Sequence, residues 1–278
     1  MARILGGITT SHIPAVGKAI EAGVEDDPYW EPFFKAYPPI RTWLAEKKPD
    51  VVINIYNDHG LGFFLDQMPT FAIGAAAQYR NEDEGWGLPE LPPFKGDAPF
   101  SWHLIESMVE QEFDITSCQE LAVDHGFTVP MQLFWPEGNH PPAIPISANT
   151  VQHPIPTLKR ALDFGKALGA AVRSYPEDIS VVILGTGGLS HQLDGERAGF
   201  INREFDEMCM EKIVTDPEAL TAISRMELVE KAGSQGTEFL MWMMMRGALG
   251  KVRKLSSNYH IPISNTGAGT MLLECIDS

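Results

Sequence analysis

Ile179-Ser180-Val181-Val182-Ile183-Leu184 is a short apolar, β-branched run that empties directly into Gly185-Thr186-Gly187-Gly188-Leu189-Ser190-His191. It reads as a buried strand ending in a loop. The same grammar repeats on either side. Residues 4–8 are an apolar run leading into Thr9-Thr10-Ser11-His12-Ile13-Pro14, and Asp50-Val51-Val52-Ile53-Asn54-Ile55-Tyr56 is a β-branched strand ending at Asn57-Asp58-His59-Gly60. Residues 115–118 and 143–149 read as further strands, and 259–273 closes the chain with strand-like sequence. Helical patterns fall between them, over 39–48 (Ile40, Trp43 and Leu44 at helical spacing), 101–112, 157–174, 200–214 and 237–249. Residues 85–99, rich in Gly, Pro and acid, read as a long surface loop. Strands alternating with helices predict an α/β fold, a sandwich with a central mixed sheet flanked by helices. No repeat or long linker divides it, so residues 1–278 are expected to form a single domain.

The composition narrows the function. With 278 residues, 44% of them hydrophobic, the chain can bury a large core, and a formal charge of −16 repels phosphate backbones, so no nucleic-acid partner is expected. The start of the chain lacks an apolar signal region, and no apolar stretch reaches the roughly 20 residues that span a bilayer. No membrane association is expected, and the cytoplasm is the expected location. Cys118, Cys209 and Cys275 are odd in number and scattered. They suit neither a disulfide framework nor a thiolate metal site.

His12, His59 and His191 each follow a predicted strand immediately, and His125, in Val123-Asp124-His125-Gly126, follows the strand at 115–118. Ligands of open α/β sheets gather beyond the carboxyl ends of the strands. Four histidines placed there can converge on one pocket, although any one alone is an ordinary loop residue. Two imidazoles and a carboxylate leave open positions on Fe(II), and the same set holds catalytic Zn, so the residue types do not choose the metal. The residues alone do not single out the carboxylate among 37 acidic side chains. Glu238 is the attractive candidate, because Phe239, Leu240, Trp242 and Met243 follow it and an ionised group there needs a helix amino terminus or a cation. The plainer alternative is a first-turn glutamate with Thr237 or Ser234 near the cap.

Several segments in order carry a resemblance. They are Ser11-His12-Ile13-Pro14, Tyr56-Asn57-Asp58-His59, Pro69-Thr70-Phe71-Ala72-Ile73-Gly74, Asp83-Glu84-Gly85-Trp86-Gly87 and Val123-Asp124-His125-Gly126. Gly185 to Gln192, Gly233-Ser234-Gln235-Gly236-Thr237-Glu238, Met245-Arg246-Gly247-Ala248-Leu249 and Tyr259 to Thr266 continue the series. Over essentially its whole length the chain resembles the LigB-type, class III, extradiol dioxygenases, and among them the catalytic β subunits that act on protocatechuate. The resemblance implies Fe(II) held by His12, His59 and Glu238, with His191 as the acid–base histidine and His125 as a second active-site histidine. It implies a carboxylated catechol and dioxygen as substrates, with protocatechuate opened at its 4,5 bond. Gallate, 3-O-methylgallate or another catechol is the alternative. Ser264 and Asn265 match the place where the substrate carboxylate is held, although Ser-Asn-Thr-Gly also has turn composition. No role carries over to His103, His140, His153 or His260.

Members of that family have a small helical α subunit, or a fused equivalent, covering the site. The chain runs only to Ser278, so a separate α subunit is expected, with a homo-oligomer as the alternative. A Zn hydrolase and a non-enzymatic binding protein on the same scaffold are the remaining readings.

Overall fold

The computed structural model describes residues 1–85, 87–88, 90–261 and 266–276. Strand β1 (Arg3–Thr10) is followed by helices α1 (Pro14–Ala22), α2 (Glu31–Phe34) and α3 (Tyr37–Lys47), then by β2 (Val51–Tyr56). Next come β3 (Phe71–Gly74), β4 (Gln78–Asn81), β5 (Phe94–Lys95), α4 (Ala98–Glu110), β6 (Thr116–Cys118) and β7 (Ala122–Val123). The middle of the chain forms α5 (His125–Phe134), β8 (Ala143–Ala148), α6 (Leu158–Ser174) and β9 (Ser180–Thr186). The last third holds α7 (Arg203–Thr215), α8 (Pro217–Leu220), α9 (Arg225–Ala232), a 3-10 turn (Gln235–Glu238), α10 (Phe239–Ala248), β10 (Val252–His260) and β11 (Ala268–Cys275).

Among the described residues, eight strands form one sheet in the order β10-β11-β1-β9-β2-β8-β3-β6. β1, β9, β2 and β8 lie side by side and parallel, while β11 and β3 run against their inner neighbours. The sheet is therefore mixed, as expected. Side chains alternate across it: Val181 and Ile183 of β9 join one core with α4, α6, α7 and α10, and Val182 and Leu184 join the other with α1, α2, α3 and α5. Burial on both faces explains why residues 179–184, with Ser180 their one polar member, show no polar alternation.

Helix α10 is apolar all round, and its residues from Phe239 to Met245 are buried. It lies directly on α6, where a Cβ at Gly165 would stand 2.7 Å from the Gly247 Cα. Small residues at 165 and 247 thus set the spacing of the two helices that back the sheet.

The structure departs from expectation at several boundaries. The strand-like 259–273 stretch is part of an antiparallel pair, β10 with β11, in place of one strand. The 85–99 loop contains β5 and the start of α4. The helix expected over 200–214 starts at Arg203, with the Asn202 side chain accepting the Phe205 N–H as its cap. Among the described residues, no helix is long and apolar enough to cross a membrane.

Candidate metal centre and active site

The parallel core brings three chain segments to one rim. β9 sits between β1 and β2, with Thr10 opposite Thr186 and Ile55 opposite Gly185, so the three strands end level. His12, His191 and His59 follow those ends. Histidine 125 differs from its expected place in a loop after residues 115–118. It opens α5, with Asp124 as the cap accepting the Gly126 N–H. Glu238 ends the 3-10 turn ahead of α10, and neither Ser234 nor Thr237 caps either segment. The Thr237 hydroxyl instead donates to the Thr150 and Ser234 carbonyls.

Each histidine is tied at Nδ1 by a different neighbour. The Thr186 hydroxyl has the Ile55 and Gly126 carbonyls at 3.2 Å to donate to, so its oxygen accepts from His12 Nδ1 at 3.1 Å. Asp124 Oδ2 accepts from His59 Nδ1 at 2.9 Å and from the His59 backbone N–H at 2.7 Å. Glu84 accepts from His125 Nδ1 at 2.5 Å and from its backbone N–H at 2.6 Å. His191 Nδ1 donates to the Leu189 carbonyl at 3.1 Å. A neutral imidazole that donates at Nδ1 carries its lone pair at Nε2. In the neutral form all four rings therefore carry the lone pair at Nε2, and the Asn57 amide donates to that of His59 at 3.2 Å.

Three of these nitrogens, those of His12, His59 and His191, surround the Glu238 carboxylate. Its Oε1 lies 3.5 Å from His12 Nε2 and 3.8 Å from His59 Nε2, and its Oε2 lies 3.8 Å from His191 Nε2. His125 stacks on His59 with ring centroids 3.9 Å apart. The Gly188 N–H donates to Glu238 Oε2 at 2.7 Å. Gly187 has φ +110°, and a Cβ there would stand 2.7 Å from the Glu238 Cβ, so only glycine lets this loop pass the carboxylate.

The charges follow from the burial. Desolvation disfavours an ionised Glu238, yet the His12 and His191 rings hold its pKa well below the usual carboxylate range. Burial likewise opposes charge on Asp124, but the adjacent His59 keeps it ionised. Burial works against a charged His59, and the pull of Asp124 and then Glu238 overrides it and raises its pKa. Desolvation and the charge of His59 both lower the pKa of His125.

The residues fit a divalent transition-metal ion. His12 Nε2 is buried and makes no hydrogen bond among the described residues. Donors gripping one ion at about 2.1 Å sit roughly 3–4 Å apart, the spacing found between Glu238 Oε1 and the two imidazoles. His12, His59 and Glu238 could hold the ion. His12, His59 and His125 also offer nitrogens within 4.8 Å of one another, and Glu84, Asp124 and His125 offer two carboxylate oxygens and a nitrogen within the same distance. Glu84 and Asp124 are already spent on Nδ1 atoms, which makes them supports for the rings.

A cavity of about 620 Å³ opens onto all four histidines and Glu238, with Pro14, Leu61 and Leu193 in its walls. A hollow of about 700 Å³ between the β3–β6 edge and Arg160 holds no histidine. Thus His12, His59, His125, His191 and Glu238 come together. Ser264 and Asn265 lie outside the described residues, although Thr266 lines the cavity and pairs with His191. The described linings of the cavity do not include His103, His140, His153 or His260; His103 instead bonds the Ala171 carbonyl at 3.0 Å. Sequence reading assigned no role to Glu84, Asp124 or Thr186. The first two sit in segments that stood out, and only their contacts reveal what they do.

A mixed α/β sheet with a histidine-and-carboxylate cluster beyond its parallel strands defines a candidate metalloenzyme. Residues 6–269 match the family model described as the catalytic LigB subunit of aromatic ring-opening dioxygenase, and the chain belongs to this family. It is 40% identical over 195 residues to the gallate dioxygenase of Pseudomonas putida, covering 69% of this chain and 57% of that protein. It is 29% identical over 205 residues to the 2,3-dihydroxyphenylpropionate/2,3-dihydroxicinnamic acid 1,2-dioxygenase of Photorhabdus laumondii, covering 72% of this chain and 60% of the relative. The match to the enzyme of the same name from Rhodococcus jostii is 32% identical over 66% of this chain and 55% of that one. The chain therefore spans just over half the length of these curated relatives. An uncharacterized protein of Escherichia coli K12 shares the fold, with a TM-score of 0.61 over 96% of this chain and 99% of its own at 12% identity.

Proposed function

We propose that residues 1–278 form one catalytic domain of an Fe(II)-dependent extradiol dioxygenase that opens the ring of a carboxylated catechol with dioxygen. One observation supports this reading: the unpartnered His12 Nε2, the His59 Nε2 and a buried carboxylate face a common point inside a cavity that also presents His125 and His191. His12, His59 and Glu238 would hold the iron. When bound, the ion supplies Lewis acidity toward the diol and an open coordination position for dioxygen.

The remaining steps belong to side chains. His191, with Nδ1 fixed on the Leu189 carbonyl, takes a diol proton at Nε2 and returns it later as the ring opens. His125 is held by Glu84, so its Nε2 faces the cavity as a second proton-handling group. The apolar wall at Pro14, Leu61 and Leu193 seats the ring and displaces water.

Gallate is the foremost substrate, supported by the identity with gallate dioxygenase. Protocatechuate, cleaved at the 4,5 bond, is the second, supported by the Ser264-Asn265 pair. A small α subunit or a second copy completing the cavity belongs to the same reading, and size-exclusion with and without an α chain tests it. The decisive experiment is oxygen uptake by anaerobically iron-loaded protein with gallate, protocatechuate and catechol. Uptake matched to ring-opened product supports the reading, and hydrolytic turnover without oxygen consumption replaces it with a Zn hydrolase.

A further inference from the structure

Among its described lining residues, the cavity contains a single lysine or arginine, Lys18. Its position follows from helix geometry. α1 begins at Pro14, directly after the His12 segment, and Pro14, Ala15 and Lys18 all line the cavity. Spacings of three and four residues place them on one helix face, and side chains lean toward the helix amino terminus. The Lys18 stem therefore points back along the wall toward His12. Its Nζ lies near Gly87, 3.9 Å from where a Cβ on that glycine would stand. Glu84, three residues earlier in sequence, supplies the carboxylate that holds His125.

Lys18 is an exposed residue with no ion pair or hydrogen bond among the described residues. The two cavity carboxylates face elsewhere: Glu84 is bound to His125, and Glu238 faces His12, His59 and His191. An uncommitted ammonium thus borders a cavity in a protein of formal charge −16, whose overall field repels anions.

We infer that Lys18 is a specificity-determining residue, whose ammonium binds an anionic substituent on the catechol ring and so selects acidic catechols over neutral ones. This rests on the reading of the cavity as a catechol site, and assigns to α1 the wall that the acidic group faces. The contact is a charge-assisted hydrogen bond from Nζ to a carboxylate oxygen.

The test is equilibrium binding by calorimetry under anaerobic conditions, with protocatechuate, gallate and catechol as probes, on iron-loaded wild type, Lys18→Met and Lys18→Arg. Oxygen uptake is measured in parallel. Met keeps the stem and the helix propensity while removing the charge, and Arg keeps the charge. Loss of one charge-assisted contact lowers the protocatechuate-to-catechol affinity ratio about tenfold in Lys18→Met, and Lys18→Arg retains most of the ratio. The wild-type ratio also falls as salt rises, and this dependence flattens in Lys18→Met. An unchanged ratio in Lys18→Met, or an equal loss in Lys18→Arg, overturns the inference, as does failure of wild type to bind any probe. Lys18-dependent binding of acidic catechols without oxygen uptake upholds the role of Lys18 and overturns the dioxygenase reading instead.

Discussion

Asp124→Asn separates two duties that one carboxylate performs. Its Oδ1 accepts the Gly126 N–H as the cap of α5, and its Oδ2 accepts both the His59 backbone N–H and the His59 Nδ1–H, with the side chain wholly buried. Asparagine caps helices about as well as aspartate, so the helix loses little. An amide has one oxygen, however. If it stays on Gly126, its NH2 faces two donors at His59, and a buried unsatisfied donor costs about 1–3 kcal/mol. The ring relieves this by turning or by moving its proton to Nε2, and either change spoils His59 as a ligand. The ligand also loses the negative partner that raises its basicity. Removing such a supporting carboxylate weakens metal binding about 10–100-fold, or about 1.4–2.7 kcal/mol at 1.36 per decade. Anaerobic Fe(II) titration of wild type and variant, with a thermal melt of both metal-free proteins, reads the effect. Unchanged iron affinity in a folded Asp124→Asn protein would refute the argument that Asp124 fixes the ring for a metal.

His191→Phe should retain iron while the rate with the best catechol falls about 10²–10⁴-fold, and loss of iron on metal analysis would contradict its place outside the ligand set. Glu238→Gln should lower iron occupancy after gel filtration, and full occupancy would remove Glu238 from that set. Glu274 is held at a pKa of about 2 by hydrogen bonds from Lys47, Arg253 and Trp43. A depressed carboxylate stabilises the fold above its unfolded pKa and loses that contribution as pH falls toward 2, and exposed partners discount it to about 1–2 kcal/mol. Glu274→Gln should therefore lower the denaturation midpoint at pH 7 and converge with wild type only as pH falls through about 2. Gly165→Ala pushes a methyl against the Gly247 Cα, and such overpacking costs about 1–3 kcal/mol in urea unfolding.

The sheet was legible because its central strands are buried on both faces, leaving runs such as 51–56 and 179–184 with one polar residue each, Asn54 and Ser180. Helices with clear caps, such as Thr157 before α6, were equally plain. The end of the chain was not, because β10 is an edge strand with exposed polar positions and carries no apolar alternation. The segment after His12 was missed as a helix because Pro14, a residue that starts helices as readily as loops, opens α1. For the site, strand-end position exposed the histidines, since β1, β9 and β2 are neighbours and parallel. Glu238 emerged from its apolar company. The tethers Thr186, Asp124 and Glu84 were invisible because hydrogen bonds across 41 to 174 residues of sequence leave no local pattern.

The four outward leashes on the imidazoles have a thermodynamic meaning. Ring rotation and tautomer choice, which a flexible site would surrender only on capturing an ion, are settled here when the chain folds. The entropy is lost once, with the rest of the core, and metal and substrate each meet a rigid receptor. On the proposed reading, an ion can therefore enter or leave the centre without the fold being remade.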